Sequence, residues 1–399
     1  MTHKERILAT IQGKPTDSLP FIPRMDLWYK SNKRKGTLPD KYRNASLIDI
    51  VDDLGIGYHY NIPDYDDYID LLDIVDRGLG IYRLANSPYQ VVLKGVKRNI
   101  TYQDDITIVE YNTPYGNIRT KVLFNENMWK SGITISHVME YPIKSVKDYH
   151  AVGYIFENAE VIPTYDKYIQ FQDYIGERGI VVARASVGGS PMQYIEHELM
   201  PYDLFFYHYY EHLDELKQLA DSISKYIDKV LNTIVLCPAE IVFAGSNFDT
   251  NITWPPFFKE YITPYLSSIS NTLHKCGKFL MAHTDGENKG LLSEYVDSGI
   301  DIADSICPAP MTSLSLAEIR KALAGKITIW GGIPSNCVLK STMSDYHFEQ
   351  YLNQLFEDIG TGDHIILSIA DTTPPDAEFS RIERILKMAE DFGPVHTKK

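Results

Sequence analysis

The chain has 399 residues, of which 44% are hydrophobic and 23% are charged, as is usual for a globular protein with a full core. Its 53 Asp and Glu residues outnumber its 39 Lys and Arg residues, and the net charge of −14 argues against nucleic acid or an anionic membrane as the main partner. We expect a cytoplasmic protein without a transmembrane helix. No run of about 18 apolar residues occurs, and the four cysteines form no Cys-x-x-Cys pair.

Residues 1–138 combine a helix, two strands and a strand-rich insert. Ile7, Leu8 and Ile11 lie at helical spacing among charged residues, which predicts an amphipathic surface helix. The segments PFIPRMD (20–26) and IGYHYNIP (56–63) each predict a strand. Residues 82–138 are rich in strand-forming residues, with Thr113-Pro114-Tyr115-Gly116 as a turn between two runs. They predict β-hairpins inserted ahead of a regular repeat.

The rest of the chain alternates between short apolar runs and amphipathic stretches. The apolar runs are 179–186, 240–249, 278–286, 299–306, 326–334 and 364–371. Strands that are apolar on both faces belong to a parallel sheet covered by helices. The two earlier strands raise the number to about eight, as a closed barrel needs. An open doubly wound sheet is the alternative, but no glycine-rich phosphate loop follows a strand.

We therefore predict an α/β fold, a (β/α)8 TIM-type barrel with an N-terminal extension and an inserted β-hairpin region. Residues 1–81 would hold the N-terminal helices and first barrel strands. Residues 82–138 would form the insert, and residues 139–399 the remainder of the barrel.

Polar residues at the carboxyl ends of barrel strands are the candidates for chemistry. His283 and Asp285 are two apart at one such end, so both side chains point to the same face. Imidazole and carboxylate suit zinc, and Asp371 after the last strand is a candidate third ligand. The alternatives are a hydrogen-bonded His–Asp pair without metal and a turn role for Asp371. The further candidates at strand ends are Arg24, Tyr58, Asp249 and Asp304.

Six segments of the sequence resemble one known superfamily. They are LATIQGKPTDSLPFIPRMDLWY near the start, NTPYGNIRTK in the insert, MEYPIKSVKDY at 139–149, AHTDG at 282–286, WGGIPS at 330–335 and ILSIADTTPPDA near the end. In this order they are similar to the uroporphyrinogen decarboxylase superfamily, and most of all to its corrinoid-dependent methyltransferase branch. The resemblance implies a (β/α)8 barrel with an N-terminal extension. Of the propionate-binding arginines of the decarboxylase itself, only Arg24 has a counterpart here.

In the methylcobamide:thiol methyltransferases of this superfamily, zinc is held by His-x-Cys on one strand and by a Cys on the last strand. The matching residues here are His283, Asp285 and Asp371, so carboxylates replace both thiolates. A zinc ion bound by such a set is harder and more Lewis-acidic. The resemblance therefore implies an O-demethylase-type methyltransferase, which moves a methyl group from a phenyl methyl ether to the Co(I) of a separate corrinoid protein.

This hypothesis gives roles to the other residues at the strand ends. Asp249 and Asp304 are predicted as catalytic general acids or reserve ligands, and Arg24 and Tyr58 as substrate-binding residues. The expected cofactors are zinc and a corrinoid that a partner protein supplies. The expected partners are that corrinoid protein, a small methylated substrate and a second copy of the chain.

Three alternatives stay open. The same enzyme class could transfer a methyl group from a methylcobamide to a thiol. A porphyrinogen decarboxylase-like enzyme would need no metal and would hold pyrrole nitrogens with Asp26 or Asp249. A non-catalytic corrinoid- or ligand-binding protein would bind tightly without turnover.

Overall fold

The computed structural model describes residues 1–60 and 74–396, so the predicted strand 56–63 lies partly outside the described residues. The α-helices are α1 (His3–Ile11), α2 (Asp26–Lys35), α3 (Leu47–Leu54), α4 (Glu126–Lys130), α5 (Tyr149–Glu157), α6 (Tyr165–Ile175), α7 (Pro191–Tyr194), α8 (Tyr202–Glu211), α9 (Leu213–Val235), α10 (Pro255–Phe257), α11 (Thr263–Lys275), α12 (Leu292–Asp297), α13 (Leu316–Leu323), α14 (Asp345–Ile359) and α15 (Phe379–Phe392). Two segments are π-helical: Ile195–Leu199 directly follows α7, and Phe258–Ile262 directly precedes α11.

The chain has fourteen strands in its described residues, and from β9 onward they alternate with helices. They are β1 (Tyr58–Tyr60), β2 (Tyr89–Leu93), β3 (Lys97–Gln103), β4 (Ile106–Thr113), β5 (Gly116–Leu123), β6 (His137–Glu140), β7 (Ala159–Pro163), β8 (Gly179–Val181), β9 (Ala183–Ser186), β10 (Ile241–Ala244), β11 (Phe279–His283), β12 (Ile302–Ile306), β13 (Thr328–Pro334) and β14 (Ile365–Ala370).

Eight parallel segments follow one another in the order of a (β/α)8 barrel. Strands β9 to β14 form a six-stranded sheet in chain order. Strand β1 pairs with β8, which only Val182 separates from β9. Residues 20–22 pair with β14 at the other edge, where the Ile22 amide donates to the Leu367 carbonyl over 2.8 Å. Between residues 20–22 and β1, the described contact is the Ile22 side chain packed under Gly57. The predicted fold class is confirmed.

The barrel interior holds its own apolar cluster, separate from the core between strands and helices. Its members are Ile22, Ile180, Val182, Ile241, Phe243, Met281, Ile302, Trp330 and Ile366, with Ile7 and Ile11 of α1. Residues two apart on a strand share a face, so the positions that continue this cluster toward the carboxyl ends also point inward. Helix α1 therefore covers the end of the barrel opposite to those carboxyl ends.

The insert forms a four-stranded antiparallel sheet in the order β3–β4–β5–β6. The predicted turn joins β4 to β5, and the Thr113 hydroxyl both donates to the Gly116 carbonyl and accepts from the Tyr115 amide. Gly116 has φ of 130°, which glycine adopts readily. Strand β2 instead pairs with β7, which follows α5.

A search of the described helices finds none that is long and apolar enough to cross a membrane.

Candidate active site at the barrel mouth

Three of the residues predicted from the sequence meet at the carboxyl ends of the strands, here called the barrel mouth. His283 ends β11, Asp285 follows two residues later, and Asp371 directly follows β14. The Nε2 atom of His283 lies 3.2 Å from Oδ1 of Asp371 and 3.7 Å from Oδ1 of Asp285. Because β12 and β13 separate β11 from β14, His283 and Asp371 meet across the curved sheet. We call these three residues the mouth triad.

Asp304 contacts His283 through the ring nitrogen that does not face Asp285 and Asp371. His283 and Asp304 are register partners on β11 and β12, and Nδ1 of His283 donates to Oδ2 of Asp304 over 2.7 Å. Asp304 is 1% exposed. An ionised carboxylate only accepts hydrogen bonds, so this contact places a proton on Nδ1 and turns Nε2 toward Asp285 and Asp371.

A bulge in β12 joins Asp304 to the other side of the triad. The register with β13 shifts between Asp304 and Ile306, and Ser305 between them has φ of 60°. The Ser305 hydroxyl donates to the backbone carbonyl of Asp371 over 3.2 Å. Bulges often redirect side chains next to active sites, and this one ties Asp304 and Asp371 to the same short segment.

The electrostatics of the triad favour a cation between its carboxylates. Burial alone lowers the pKa of His283, but the charges of Asp285 and Asp371 outweigh it and raise that pKa well above its ordinary value. Burial raises the pKa of Asp371, yet His283 and Arg24 bring it down to about 2. For Asp304, His283 and His59 likewise overcome burial and hold the pKa well below its usual range.

Arg24 lies beside the triad, as its predicted position implied. Its Nη1 atom is 3.4 Å from Oδ1 of Asp371, and its Nε atom is 3.3 Å from Oδ1 of Asp26. The Arg24 carbonyl accepts from the backbone amide of Thr373 over 2.8 Å. The residues after strand 20–22 and after β14 are thus held together at the mouth.

The structure does not bring Asp249 and Tyr58 to the mouth triad. Asp249 accepts from the Asn251 amide with Oδ1 and from the Glu287 amide with Oδ2. It therefore fixes the loop that carries Asp285. The Tyr58 side chain is buried in the core outside the barrel. Their catalytic and substrate-binding roles remain predictions.

His59 is a site residue that the sequence analysis missed. Its Nε2 atom lies 3.3 Å from Oδ1 of Asp304, and its ring meets Trp330 edge-on at 4.7 Å between centroids. Strand alternation turns His59 to the face opposite Tyr58. No sequence pattern marks it, because β1 spans only three residues and its alternation cannot be recognised from the sequence alone.

The mouth triad fits a tetrahedral divalent metal ion. With bonds of ~2.0 Å, ligand atoms on one edge of a tetrahedron are separated by ~3.3 Å, and the two distances from His283 Nε2 bracket this value. All three ligand atoms lie within 4.8 Å of one another. Oδ1 of Asp285 is buried and has no hydrogen-bond partner among the described residues. One imidazole and two carboxylates suit zinc and similar ions.

Comparisons with known proteins agree with this fold. Residues 198–392 match the family model described as "Uroporphyrinogen decarboxylase (URO-D)". The solved structure "methyltransferase from Methanosarcina mazei" superposes with a TM-score of 0.57 and 13% identity, over 98% of this chain and 99% of that chain. A second solved structure, "Crystal structure analysis of Dispersin B", has a TM-score of 0.30 and 13% identity, over 94% and 97% of the two chains, and is too dissimilar to support an inference. No curated protein sequence matches the chain.

The solved methyltransferase shows the fold alone, because its sequence identity is low. The family match is more specific, and the segment it covers supplies His283, Asp285, Asp304 and Asp371. Over this segment, which is slightly less than half of the chain, the sequence is similar to the uroporphyrinogen decarboxylase family.

Proposed function

We propose that the protein is a methyltransferase that moves the methyl group of a methoxylated aromatic substrate to the Co(I) of a separate corrinoid protein. The observation that carries this proposal is the convergence of His283 Nε2 with the carboxylates of Asp285 and Asp371 at the barrel mouth. The methyltransferase from Methanosarcina mazei that shares the fold supports the reaction class.

Demethylation of a phenyl ether needs assistance at the oxygen that leaves. When Co(I) attacks the methyl carbon, the C–O bond breaks and its electron pair stays on the phenolate oxygen. A positive charge or a proton donor placed at that oxygen stabilises the transition state. The mouth triad is suited to this task, because its two carboxylates favour a cation at the Nε2 position of His283.

Zinc or a similar divalent ion would be held by His283 Nε2, Asp285 and Asp371, and it supplies Lewis acidity toward the ether oxygen when bound. Where a proton occupies Nε2 instead, the His283 imidazolium donates that proton to the phenolate oxygen as the C–O bond breaks. In both cases Asp304 orients the imidazole through Nδ1. Arg24 helps to keep Asp371 ionised, since its charge lowers the pKa of that carboxyl.

A separate corrinoid protein is proposed because this chain offers no corrinoid-binding loop in its described residues. The corrinoid-domain pattern Asp-x-His-x-x-Gly does occur, as Asp148, His150 and Gly153. However, His150 and Gly153 lie within α5, which packs on α9, and a Cβ at Gly153 would stand 3.2 Å from the Ser222 hydroxyl. Close helix packing explains this glycine, and the pattern carries no corrinoid site.

Turnover with a methoxyphenol tests the proposal. The zinc-treated protein is mixed with 2-methoxyphenol and cob(I)alamin, and methylcobalamin and catechol are quantified. We expect both products in equal amounts, and a loss of about 100-fold or more in rate for His283→Ala. The matched control is His274→Ala, which breaks a His–Asp pair at the opposite end of the barrel and should keep the wild-type rate.

Other outcomes of the same assay select the alternatives. Methyl transfer from methylcobalamin to a thiol, without demethylation of the ether, would select the reverse reaction class. Release of carbon dioxide from a porphyrinogen without metal would select the decarboxylase-like reaction. No methylcobalamin with wild-type protein, or an equal loss in the two histidine variants, would contradict the proposal.

A further inference from the structure

A chain of three buried side chains runs inward from the mouth triad. Asp304 accepts from His283 Nδ1 with Oδ2 over 2.7 Å, and from His59 Nε2 with Oδ1 over 3.3 Å. The side chains of Asp304 and His59 are 1% and 2% exposed. Each oxygen of one carboxylate thus holds one imidazole, and the two imidazoles come from strands on different parts of the barrel, β1 and β11.

Packing alone does not explain an imidazole at position 59. The Nδ1 atom of His59 is buried and has no hydrogen-bond partner among the described residues. A buried polar atom without a partner costs free energy. A phenyl ring would make the same edge-on contact with Trp330 without that cost. What a phenyl ring could not supply is the hydrogen bond from Nε2 to Asp304.

We infer that His59 is a positioning residue that acts through Asp304 to keep the Nε2 atom of His283 facing Asp285 and Asp371. This inference rests on the proposed function, in which that atom either holds the metal ion or donates the proton. His59 contacts neither Asp285 nor Asp371 among the described contacts, and its effect passes through the carboxylate of Asp304.

The physical reason is that a carboxylate held at one oxygen can rotate, whereas one held at both cannot. Without the donor at position 59, Asp304 would lose the hydrogen bond that its Oδ1 accepts from His59 Nε2, and its carboxylate would be held less firmly in one orientation. The acceptor for His283 Nδ1 would then lose its fixed direction. Partners one step behind a metal ligand commonly change metal affinity by about 10- to 100-fold when they are removed.

Two amide substitutions separate the donor from the rest of the side chain. The terminal nitrogen of glutamine reaches about the position of the imidazole Nε2, and that of asparagine about the position of Nδ1. His59→Gln can therefore still donate to Asp304, whereas His59→Asn cannot reach it. Both variants are polar, uncharged and similar in size. Asp304→Asn serves as the positive control, because it replaces one carboxylate oxygen with an amide nitrogen and so cannot accept from both imidazoles.

The first readout needs no metal. In protein labelled with ¹⁵N-histidine, the Nδ1 proton of His283 is assigned by its loss in His283→Gln. We expect a slowly exchanging signal in wild-type protein and in His59→Gln, and a shifted or rapidly exchanging one in His59→Asn and Asp304→Asn. An unchanged His283 signal in His59→Asn would overturn the inference.

The second readout is zinc affinity, measured by competition with a chromophoric chelator. We expect His59→Asn to bind zinc about 10-fold more weakly than wild-type protein, and His59→Gln to stay close to wild type. Equal weakening in both variants would overturn the inference, because the donor would then not matter. If wild-type protein binds no zinc, the metal role in the proposed function fails, while the proton signal still decides whether His59 positions His283.

Discussion

Two glutamates of the first π-helical segment, Glu196 and Glu198, are both 1% exposed, but their pKa values shift in opposite directions. Glu198 lies 2.6 Å from Nη1 of Arg77 and 2.9 Å from Nδ1 of His197. Burial raises its pKa, but Arg77 and His197 outweigh this and lower it to about 2. Among the described residues, Glu196 forms no ion pair and its Oε1 has no hydrogen-bond partner, and burial raises its pKa well above the ordinary value.

We expect Glu196→Gln to stabilise the protein above about pH 5, and the gain to grow with pH. A carboxyl whose pKa is raised by folding keeps its full stability below its unfolded pKa. It then costs up to about 1.4 kcal/mol per pH unit until the folded pKa is reached. Chemical denaturation of both proteins between pH 4 and pH 8 gives the difference in unfolding free energy at each pH.

Glu198→Gln is the matched control and should show the opposite sign. Because folding lowers the pKa of Glu198 to about 2, its stabilising effect is present above the unfolded pKa and is lost as the pH falls toward 2. The variant should therefore be less stable than wild type at pH 7, by a margin that shrinks in acid. A pH-independent difference for Glu196→Gln would show that burial does not keep that carboxyl neutral.

At the scale of single residues, the sequence predicted the members of the mouth triad but not the hydrogen bonds of Asp304 and His59 that orient His283. His283 and Asp285 share a face of one strand, and Asp371 follows another strand end, so alternation and strand position were sufficient. Asp304 was identified as a candidate, yet its contact with His283 Nδ1 depends on the register between β11 and β12. His59 was missed because a three-residue strand gives too short a pattern to show which residues face inward.

At the scale of elements, α1 is a structural part of the barrel rather than an appendage. Ile7 is fully buried and packs with the interior apolar cluster. The Thr2 side chain caps the helix by accepting from the Glu5 amide, and Glu5 caps in return. The predicted amphipathic pattern is present, and its apolar face covers the end of the barrel.

We expect Ile7→Ala to destabilise the protein by about 2–4 kcal/mol, because it leaves a cavity where α1 meets the barrel interior. Ile162→Ala is a control on β7, where the side chain is 44% exposed, and it should cost about 0.5 kcal/mol or less. Urea denaturation measures both. A loss below about 1 kcal/mol for Ile7→Ala would show that α1 does not close the barrel interior.

The boundaries of the helices show which structural features can be recognised from the local sequence. Helix α11 begins at Thr263, and Pro264 lies in its first turn. A proline there leaves no hydrogen bond unmade. The π-helical segment Phe258–Ile262 before it was not predicted. An extra residue within one helical turn leaves no distinct period in a short sequence.

At the scale of the whole molecule, the alternation of apolar strands and amphipathic helices predicted the (β/α)8 architecture. It also predicted that strand ends would share one face. The distances at that face could not be predicted, because His283 and Asp371 come from β11 and the end of β14. Their approach depends on how the sheet curves between them, which is a property of the assembled barrel. The four-stranded insert was predicted as hairpins, but the β2–β7 pairing joins distant segments and left no local pattern.

The amount of zinc bound per chain tests most directly whether the three residues of the mouth triad form one metal centre. After incubation with zinc and removal of the excess, plasma mass spectrometry gives the zinc bound per chain in wild-type protein, His283→Ala and Asp371→Ala. We predict about one zinc per wild-type chain and loss of that zinc in both variants, since each removes one of three ligands. No zinc in wild-type protein, or the same content in all three proteins, would contradict a metal centre at His283, Asp285 and Asp371.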